Sequence, residues 1–338
     1  MSELRQDPMT GNWAIIAPDR ARRPDQMHVA PTIPTRLPRF EESCPFCPGN
    51  EELLPGIVAE TPSDSPPGWS VRVVPNKFPA LTPDAAPERS ISARCTTLSG
   101  YGVHEVVIES PRHDAILSSM EDEEISVVVA SYNQRVAALS RLSNIKTVVL
   151  FRNHGSASGA SLVHPHAQVI ALPLVTPRLR DILEWANRQG RATGRCPTCA
   201  ELKRLIECGE CLVEETEYFL VFVPFAAERP FEQWLVPKRH HASFADTTGD
   251  ELDDLAPLLR RALQCLRLVH EDPPYSFVIE TGGLPEKQNP YLHWRLRIAP
   301  KLVTWAGFEI GAGMAINPSQ PEKDAEMLRA ARAVKDLR

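Results

Sequence analysis

The segment GASLVHPHAQV, residues 159–169, places two histidines and a glutamine at every second position. On a β-strand, side chains alternate between the two faces, so His164, His166 and Gln168 would share one face. A neutral imidazole can attack phosphorus when its other ring nitrogen donates to a fixed acceptor, and an uncharged amide can stabilise a phosphoryl oxygen. The spacing therefore predicts phosphoryl transfer with His166 as nucleophile. A further metal-binding strand or a buried histidine pair would give the same local pattern.

A run of small residues, NHGSASGAS, lies directly upstream at positions 153–161. Backbone N–H groups in such a run can approach a phosphate closely, because no large side chain stands between them. This run strengthens the prediction of a phosphate site next to His166.

Paired cysteines are the second feature with chemical potential. Six of the eight cysteines form Cys-x-x-Cys pairs: Cys44/Cys47, Cys196/Cys199 and Cys208/Cys211. The N-terminal residues lack the apolar core of a signal peptide, and no apolar run approaches the roughly 20 residues that span a bilayer. We therefore expect a cytoplasmic protein without membrane attachment, in which paired cysteines serve metal binding or redox chemistry rather than disulfides.

The same ordered set of cysteines and histidines occurs twice along the chain. The two sets are Cys44, Cys47, His113 and His164, then Cys196, Cys199, His240 and His293. Two thiolates and two imidazoles suit tetrahedral zinc, because zinc is a metal ion of borderline softness that binds both sulfur and nitrogen ligands. The repetition predicts two zinc sites.

Two alternatives remain open for the second set. Cys208 and Cys211 lie close enough in sequence to complete a four-cysteine site with Cys196 and Cys199, and His241 competes with its neighbour His240. The parallel with the first half favours the site with two cysteines and two histidines.

The elements needed to position these residues also repeat. Strand patterns occur at 70–74, 103–109, 146–152 and 166–172, and again at 218–223, 232–236, 275–280 and 293–298. Helical patterns at 121–142 and 250–269 precede the last two strands of each half, with a helical connector at 175–195. We expect an α+β fold of two antiparallel-sheet halves with flanking helices, residues 1–174 and 175–338.

The two halves differ at the predicted nucleophile. Where the first has His164-x-His166, the second has His293-x-Arg295, so the second half keeps a ligand and lacks a nucleophile. An active half and a degenerate half are what a duplicated enzyme would show. The net charge of −6 in 338 residues argues against a general nucleic-acid binder but allows a local basic pocket for one nucleotide.

These motifs resemble the class I galactose-1-phosphate uridylyltransferase family of the histidine-triad superfamily. The resemblance extends from DPMTGNWAIIAPDRARRP to GFEIGAGMAINPSQPE and centres on HPHAQ. It implies a duplicated histidine-triad-like fold, a homodimer, and transfer of a nucleoside monophosphate between a nucleotide sugar and a hexose 1-phosphate. The implied reaction is ping-pong, through a covalent nucleotidyl-histidine.

The resemblance also implies roles for individual residues. His166 corresponds to the nucleophile and Gln168 to the residue that hydrogen-bonds the transferred phosphoryl group, beside a zinc site at the first cysteine and histidine set. The residues implied in substrate binding are Arg20, Arg23, Asn76, Phe78, Asn153, Gly159 and Ser161. The two arginines correspond to residues that can reach the active site of a neighbouring subunit.

Departures from the family pattern bear on the metal and the sugar. The segment HWRLRIAP, residues 293–300, lacks the His-x-His pair of an iron site, and the second Cys-x-x-Cys is similar to the two-zinc subgroup that includes enzymes acting on ADP-glucose and phosphate. Ala312 and Gly313 replace a Tyr-Glu pair that holds the hexose in other members.

We expect UMP transfer between UDP-glucose and galactose 1-phosphate, in galactose metabolism. The first alternative is an ADP-sugar phosphorylase that uses inorganic phosphate, and the second is a non-catalytic, zinc-stabilised nucleotide-binding protein.

Overall fold

The computed structural model describes residues 1–22, 37–84, 87–92, 94–283 and 286–335. Within these ranges the strands are β1 Glu3–Gln6, β2 Trp13–Ile16, β3 Ala59–Pro62, β4 Trp69–Pro75, β5 Arg89–Ser92, β6 Cys95–Leu98, β7 Val103–Ile108, β8 Thr147–His154, β9 His166–Leu172, β10 Leu212–Glu215, β11 Phe219–Phe222, β12 Gln233–Pro237, β13 Tyr275–Glu280, β14 Arg295–Pro300 and β15 Ala315–Asn317. The α-helices are α1 Asp122–Ser140, α2 Pro177–Thr193, α3 Pro197–Cys208, α4 Gly249–His270, α5 Gly307–Ala312 and α6 Pro321–Lys335.

One large antiparallel sheet carries the site. Among the described residues it has ten strands, in the order β10-β11-β12-β14-β13-β8-β9-β7-β4-β3. Five strands come from each half of the chain, and the halves join where β8 pairs with β13, with His154 opposite Tyr275. The strands of each half are arranged in the same order from the sheet edge to its centre. If the five strands of a half are numbered along the chain, that order is first, second, third, fifth and fourth. The α+β antiparallel class is confirmed, and this shared order supports our proposal of a duplication divided near residue 174.

Helices α1 and α4 cover one face of the sheet. Ile125, Val128 and Tyr132 of α1 are buried against alternate residues of the central strands, such as Leu150 and Val169. Helix α4 begins with a capping box, in which Thr248 and Glu251 bond each other's backbone N–H. With this face filled by helices, the opposite face of β9 is the one available for chemistry.

The strand patterns of the sequence are close to the observed strands: β9 and β13 have the predicted bounds. Helix α3 is not among the helical patterns predicted from the sequence. Its first turn overlaps the second Cys-x-x-Cys pair: Cys196 is the N-cap and Pro197 follows. Smaller elements stand outside the large sheet, namely the sheet β1-β2-β15 and the hairpin β5-β6. None of the described helices is both long enough and apolar enough to cross a membrane.

Candidate active site and metal centres

The first cysteine and histidine set forms one buried cluster. Cys44, Cys47, His113 and His164 place their ligand atoms within 4.8 Å of one another. His164 Nδ1 lies 3.7 Å from Cys44 Sγ and 3.6 Å from Cys47 Sγ, and His113 Nδ1 lies 3.5 Å from Cys47 Sγ. The other ring nitrogen of His164, Nε2, donates to the carbonyl oxygen of Ser110 at 2.8 Å. Because Nε2 carries the ring proton, Nδ1 is unprotonated, and its lone pair faces both sulfurs.

The second set forms a cluster of nearly the same geometry. Cys199 Sγ lies 3.4 Å from His240 Nδ1 and 3.6 Å from His293 Nδ1, and all four ligand atoms fall within 4.8 Å. His293 Nε2 donates to the carbonyl oxygen of Pro237 at 2.9 Å, as His164 does to Ser110. In each cluster the two imidazole centroids are 5.3 Å apart and the rings nearly perpendicular.

The donor sets fit a tetrahedral zinc ion. With Zn–S near 2.3 Å and Zn–N near 2.05 Å, tetrahedral angles place sulfur and nitrogen ligands about 3.6 Å apart. The observed sulfur–nitrogen distances of 3.4 to 3.7 Å match that value in both clusters. Backbone carbonyls hold the far nitrogens of His164 and His293, which is the usual support for a metal-bound imidazole. Either cluster could therefore hold a metal ion.

The remaining candidates for the second cluster lie apart from it. Cys208 is exposed at the end of α3, where it accepts from Arg204 Nη1 at 3.3 Å. Cys211 is buried in an apolar cluster with Leu220 and Trp234. His241 accepts at Nε2 from Trp294 Nε1 at 2.9 Å. The four-cysteine alternative is therefore not the arrangement found.

His166 is the first residue of β9 and is buried, with 6% of its surface exposed. Its Nδ1–H donates to the carbonyl oxygen of His164 at 2.8 Å. This bond fixes the tautomer that leaves Nε2 unprotonated, on a ring that lines a cavity of about 420 Å³. Burial lowers the pKa of His166, which keeps the ring neutral. A neutral imidazole with one nitrogen anchored and the other open has the properties of a nucleophile.

His164 does not share a strand with His166, contrary to the simple alternation expected from the sequence. It precedes β9 and turns towards the cysteines, while His166 and Gln168 occupy one face of β9 and line the same cavity. The strand begins two residues later than the alternation requires, and the His164 ring instead faces the sulfurs of Cys44 and Cys47 and donates to the Ser110 carbonyl oxygen.

The cavity beside His166 is lined mostly by apolar side chains, with a few polar ones among them. Its walls include Phe46, Leu54, Asn76, Phe78, Ser161 and Gln168. Phe78 is 84% exposed and forms a rim rather than a buried wall. The structure therefore brings Asn76 and Phe78 to the same cavity as His166.

The Gly/Ser run forms a loop over a second, adjoining cavity of about 190 Å³ beside His166. Asn153 and Ser161 line it, and Asn153 is held by a hydrogen bond from Ser276 Oγ at 2.9 Å. Gly159 adopts a φ of +89°, a conformation that a side chain would strain, but it does not line either cavity. Its contribution is to the path of the loop.

Of the two predicted arginines, the structure describes Arg20, and it does not bring Arg20 to His166 within this chain. Arg20 lies in the short 3₁₀ turn Pro18–Arg22, next to the small sheet, and lines neither cavity. Arg23 lies outside the described residues.

The equivalent place in the second half is filled. Arg295 follows His293 by two residues, as His166 follows His164, but its guanidinium lies 4.4 Å from the ring centroid of Trp234 and bonds Glu280 at 2.6 Å. A guanidinium remains protonated and is no nucleophile. Apolar side chains from α3 and the N-terminal segment, including Leu202, Leu205 and Met9, cover the same face. At this position the second half therefore has a guanidinium held by Trp234 and Glu280, where the first half has the His166 ring at a cavity.

Sequence reasoning missed two residues beside the site. Phe46, between the first two cysteines, packs edge-on against His166 with centroids 5.4 Å apart. Its position inside CPFC, next to two candidate ligands, was a usable signal. His104 lies 2.9 Å from Gln168 Oε1, and no local motif marks it.

Comparison with known proteins gives consistent matches. The family model "Galactose-1-phosphate uridyl transferase, N-terminal domain" matches residues 1–176. ADP-glucose phosphorylase of Arabidopsis thaliana is 38% identical over 336 residues, covering 97% of this chain and 92% of that protein. Galactose-1-phosphate uridylyltransferase of Thermotoga maritima is 28% identical over 338 residues, covering 97% and 98%.

Solved structures agree with these sequence matches. The crystal structure of the Arabidopsis thaliana ADP-glucose phosphorylase with bound ADP-glucose superposes with a TM-score of 0.83 at 34% identity, over 97% of this chain and 98% of that one. A uridylyltransferase structure superposes with a TM-score of 0.76 at 30% identity, over the full length of both chains.

Proposed function

The chain belongs to the galactose-1-phosphate uridylyltransferase family of enzymes, and from this premise we propose that it transfers a nucleoside monophosphate from a nucleotide sugar to an acceptor phosphate through His166. The observation that carries the proposal is the anchored ring: Nδ1 bonds the His164 carbonyl oxygen at 2.8 Å, and Nε2 is left to the cavity.

The transfer takes two displacements at phosphorus. In the first, the Nε2 lone pair attacks the α-phosphorus, the N–P bond forms, and the bond from phosphorus to the bridging oxygen breaks to release the sugar phosphate. The ring then carries a positive charge, which the His164 carbonyl dipole stabilises through the retained Nδ1–H. In the second, an oxygen of the acceptor phosphate attacks phosphorus, the N–P bond breaks, and the neutral ring returns. Neither step needs an external acid, base or oxidant.

The remaining groups act by position and charge. Gln168 and the backbone of the Gly/Ser loop would stabilise the phosphoryl oxygens, since phosphoryl transfer depends mainly on positioning and electrostatics. Cys44, Cys47, His113 and His164 would hold a zinc ion. The ion, when bound, would immobilise His164 and hence the acceptor that orients His166.

Two substrate assignments have support. ADP-glucose with inorganic phosphate is supported by the relative of 38% identity, whose structure with ADP-glucose superposes at a TM-score of 0.83. UDP-glucose with galactose 1-phosphate is supported by the uridylyltransferase relatives, which are less similar at 28% identity for the Thermotoga maritima enzyme. The chain lies nearer to the phosphorylase by both measures, so ADP-glucose is the first substrate to test.

The arginines fit the proposal through a homodimer. Arg20 lines neither cavity of its own chain, so a role at His166 requires a second copy. We propose that Arg20 and Arg23 of one subunit serve the site of the other.

Covalent labelling tests the reaction directly. The protein is incubated with ADP-glucose or UDP-glucose labelled in the α-phosphate, without acceptor, and then denatured. An acid-labile, protein-bound label is expected, absent in His166→Ala and retained in His270→Gln, a control at the end of α4. Binding of both nucleotides without any bound label would instead establish a non-catalytic binding protein.

The acceptor that removes the nucleotide from the labelled protein distinguishes a phosphorylase from a uridylyltransferase. Addition of inorganic phosphate to the labelled protein should release ADP if the chain is a phosphorylase. Addition of galactose 1-phosphate should release UDP-galactose from uridylylated protein if it is a uridylyltransferase.

A further inference from the structure

A hydrogen-bonded chain lies behind Gln168 and starts at the main chain. The Ala80 N–H donates to His104 Nδ1 at 3.1 Å. A main-chain N–H can only donate, so His104 Nδ1 is an acceptor and the neutral ring carries its proton on Nε2. That Nε2 lies 2.9 Å from Gln168 Oε1, and therefore donates to it.

Asn76 brings a second donor to the same oxygen. The Phe78 N–H donates to Asn76 Oδ1 at 2.9 Å, which fixes the direction of the Asn76 amide. Asn76 Nδ2 then faces Gln168 Oε1, at 3.4 Å. Asn76 Nδ2 also lies 3.2 Å from His104 Nε2, but both are donors, so this contact is convergence on one acceptor rather than a hydrogen bond.

Two main-chain N–H groups thereby decide which end of the Gln168 amide faces the cavity. Its oxygen is occupied by His104 and Asn76, and within the described part of the chain no hydrogen bond holds its Nε2. Gln168 lines the cavity beside His166, so its NH₂ group is the end presented there. A reversed amide would place its NH₂ against two donors and its oxygen against the phosphoryl oxygens.

Strand pairing explains why His104 can do this. In the β7–β9 pair, Gln168 is opposite Val106 and His104 is opposite Ile170. His104 and Gln168 are therefore diagonal neighbours on one face, within reach of two long side chains.

We propose that His104 is a positioning residue that orients the Gln168 amide as a donor to the transferred phosphoryl group. The expected effect of His104 on the reaction rate rests on the proposed function. The tautomer of His104 rests on the hydrogen-bond directions alone. His104 does not touch the phosphoryl group, so its whole effect must pass through Gln168.

A double-mutant cycle tests this dependence. His104→Phe keeps a ring and removes the donor, and the measured quantity is the rate of nucleotidyl-enzyme formation at saturating nucleotide sugar. We expect a loss of about tenfold, smaller than the 10²–10³ that removal of an oxyanion donor costs, with KM little changed. In the Gln168→Ala background, His104→Phe should cause less than about a twofold further loss. His104→Gln, which keeps an N–H donor at this reach, should recover most of the rate.

An equal loss from His104→Phe in both backgrounds, or no loss in either, would overturn the inference. A loss of thermal stability in His104→Phe large enough to account for the slower rate would also overturn it. His104→Gln distinguishes the two causes, because restoring an N–H donor would not repair a packing defect.

The tautomer is measured without turnover. The ¹⁵N shifts of His104 in the wild-type protein should show a protonated Nε2 and an unprotonated Nδ1 at neutral pH. The opposite tautomer would refute the assignment of donors. If the wild-type protein forms no adduct with any nucleotide sugar, the proposed function fails, and this measurement still decides the orientation of the Gln168 amide.

Discussion

The Nδ1–H of His166 donates to the main-chain carbonyl oxygen of His164 at 2.8 Å, so the nucleophile candidate is oriented by the backbone of a metal-ligand candidate. The His164 ring is itself held between Ser110 and two cysteine sulfurs. The contacts of the His164 ring thus help to hold the residue whose main-chain carbonyl oxygen accepts the hydrogen bond from His166. The first cluster is therefore linked to the proposed nucleophile through His164, and the second, built into the other half, does not touch His166.

The two clusters should respond differently to loss of a ligand. Elemental analysis should find about two zinc ions per chain, one for each Cys₂His₂ set. Cys44→Ser and Cys196→Ser should each remove one. Only Cys44→Ser should also slow adduct formation, by about tenfold or more, because only the first cluster orients His166. Equal effects of the two substitutions on adduct formation would contradict this division.

The third Cys-x-x-Cys pair provides a matched control. Cys208→Ser should leave the zinc content unchanged, since Cys208 is exposed and bonded to Arg204 rather than placed at the second cluster. Loss of one zinc ion in this variant would restore the four-cysteine alternative.

Removal of the His166 side chain should leave a space in which free imidazole can bind. In His166→Gly, adduct formation on the protein should disappear, while added imidazole should support turnover by forming a nucleotidyl-imidazole in the vacated space. The measurement is product formation against imidazole concentration, with His166→Ala plus imidazole as the comparison. Turnover in His166→Gly that does not depend on imidazole would exclude His166 as the nucleophile.

Exchange of subunits tests the placement of Arg20. Alone, Arg20→Ala should be weakly active and His166→Ala inactive. If Arg20 acts in the partner's site, random mixing gives half heterodimers with one intact site each, and about a quarter of wild-type activity should return. If the mixture is no more active than its components, Arg20 acts within its own chain or not at all.

Asp324 should make stability depend on pH. Burial raises its pKa to about 6, although the Phe231 N–H donates to its carboxylate at 2.9 Å. An unfolded aspartate ionises near pH 3.9, so between about pH 4 and 6 unfolding releases a proton and the free energy of unfolding falls as pH rises. Above pH 6 the cost levels off, on the order of 3 kcal/mol.

Asp324→Asn keeps the acceptor for Phe231 and cannot ionise. Its stability relative to wild type, from urea unfolding, should rise between pH 4 and 6 and stay constant above. A difference that is the same at every pH would show that Asp324 does not titrate in this window.

The sequence by itself determined the chemistry available to this protein. Ligand type, the Cys-x-x-Cys spacing and the His-x-His-x-Gln pattern are local, and they were enough to predict the two donor sets and the candidate nucleophile. The repeat of strands and helices was also visible, because alternation and helical period are properties of short segments.

Only the tertiary structure decided how those groups are oriented. His104 is 64 residues from Gln168 in sequence, and the two meet because β7 pairs with β9 in one particular register. The exclusion of Cys208, the burial of Arg295 under Trp234 and the union of both halves in one sheet likewise depend on distant contacts. Such contacts are set by packing of the whole chain, which leaves no mark on the residues that flank each position.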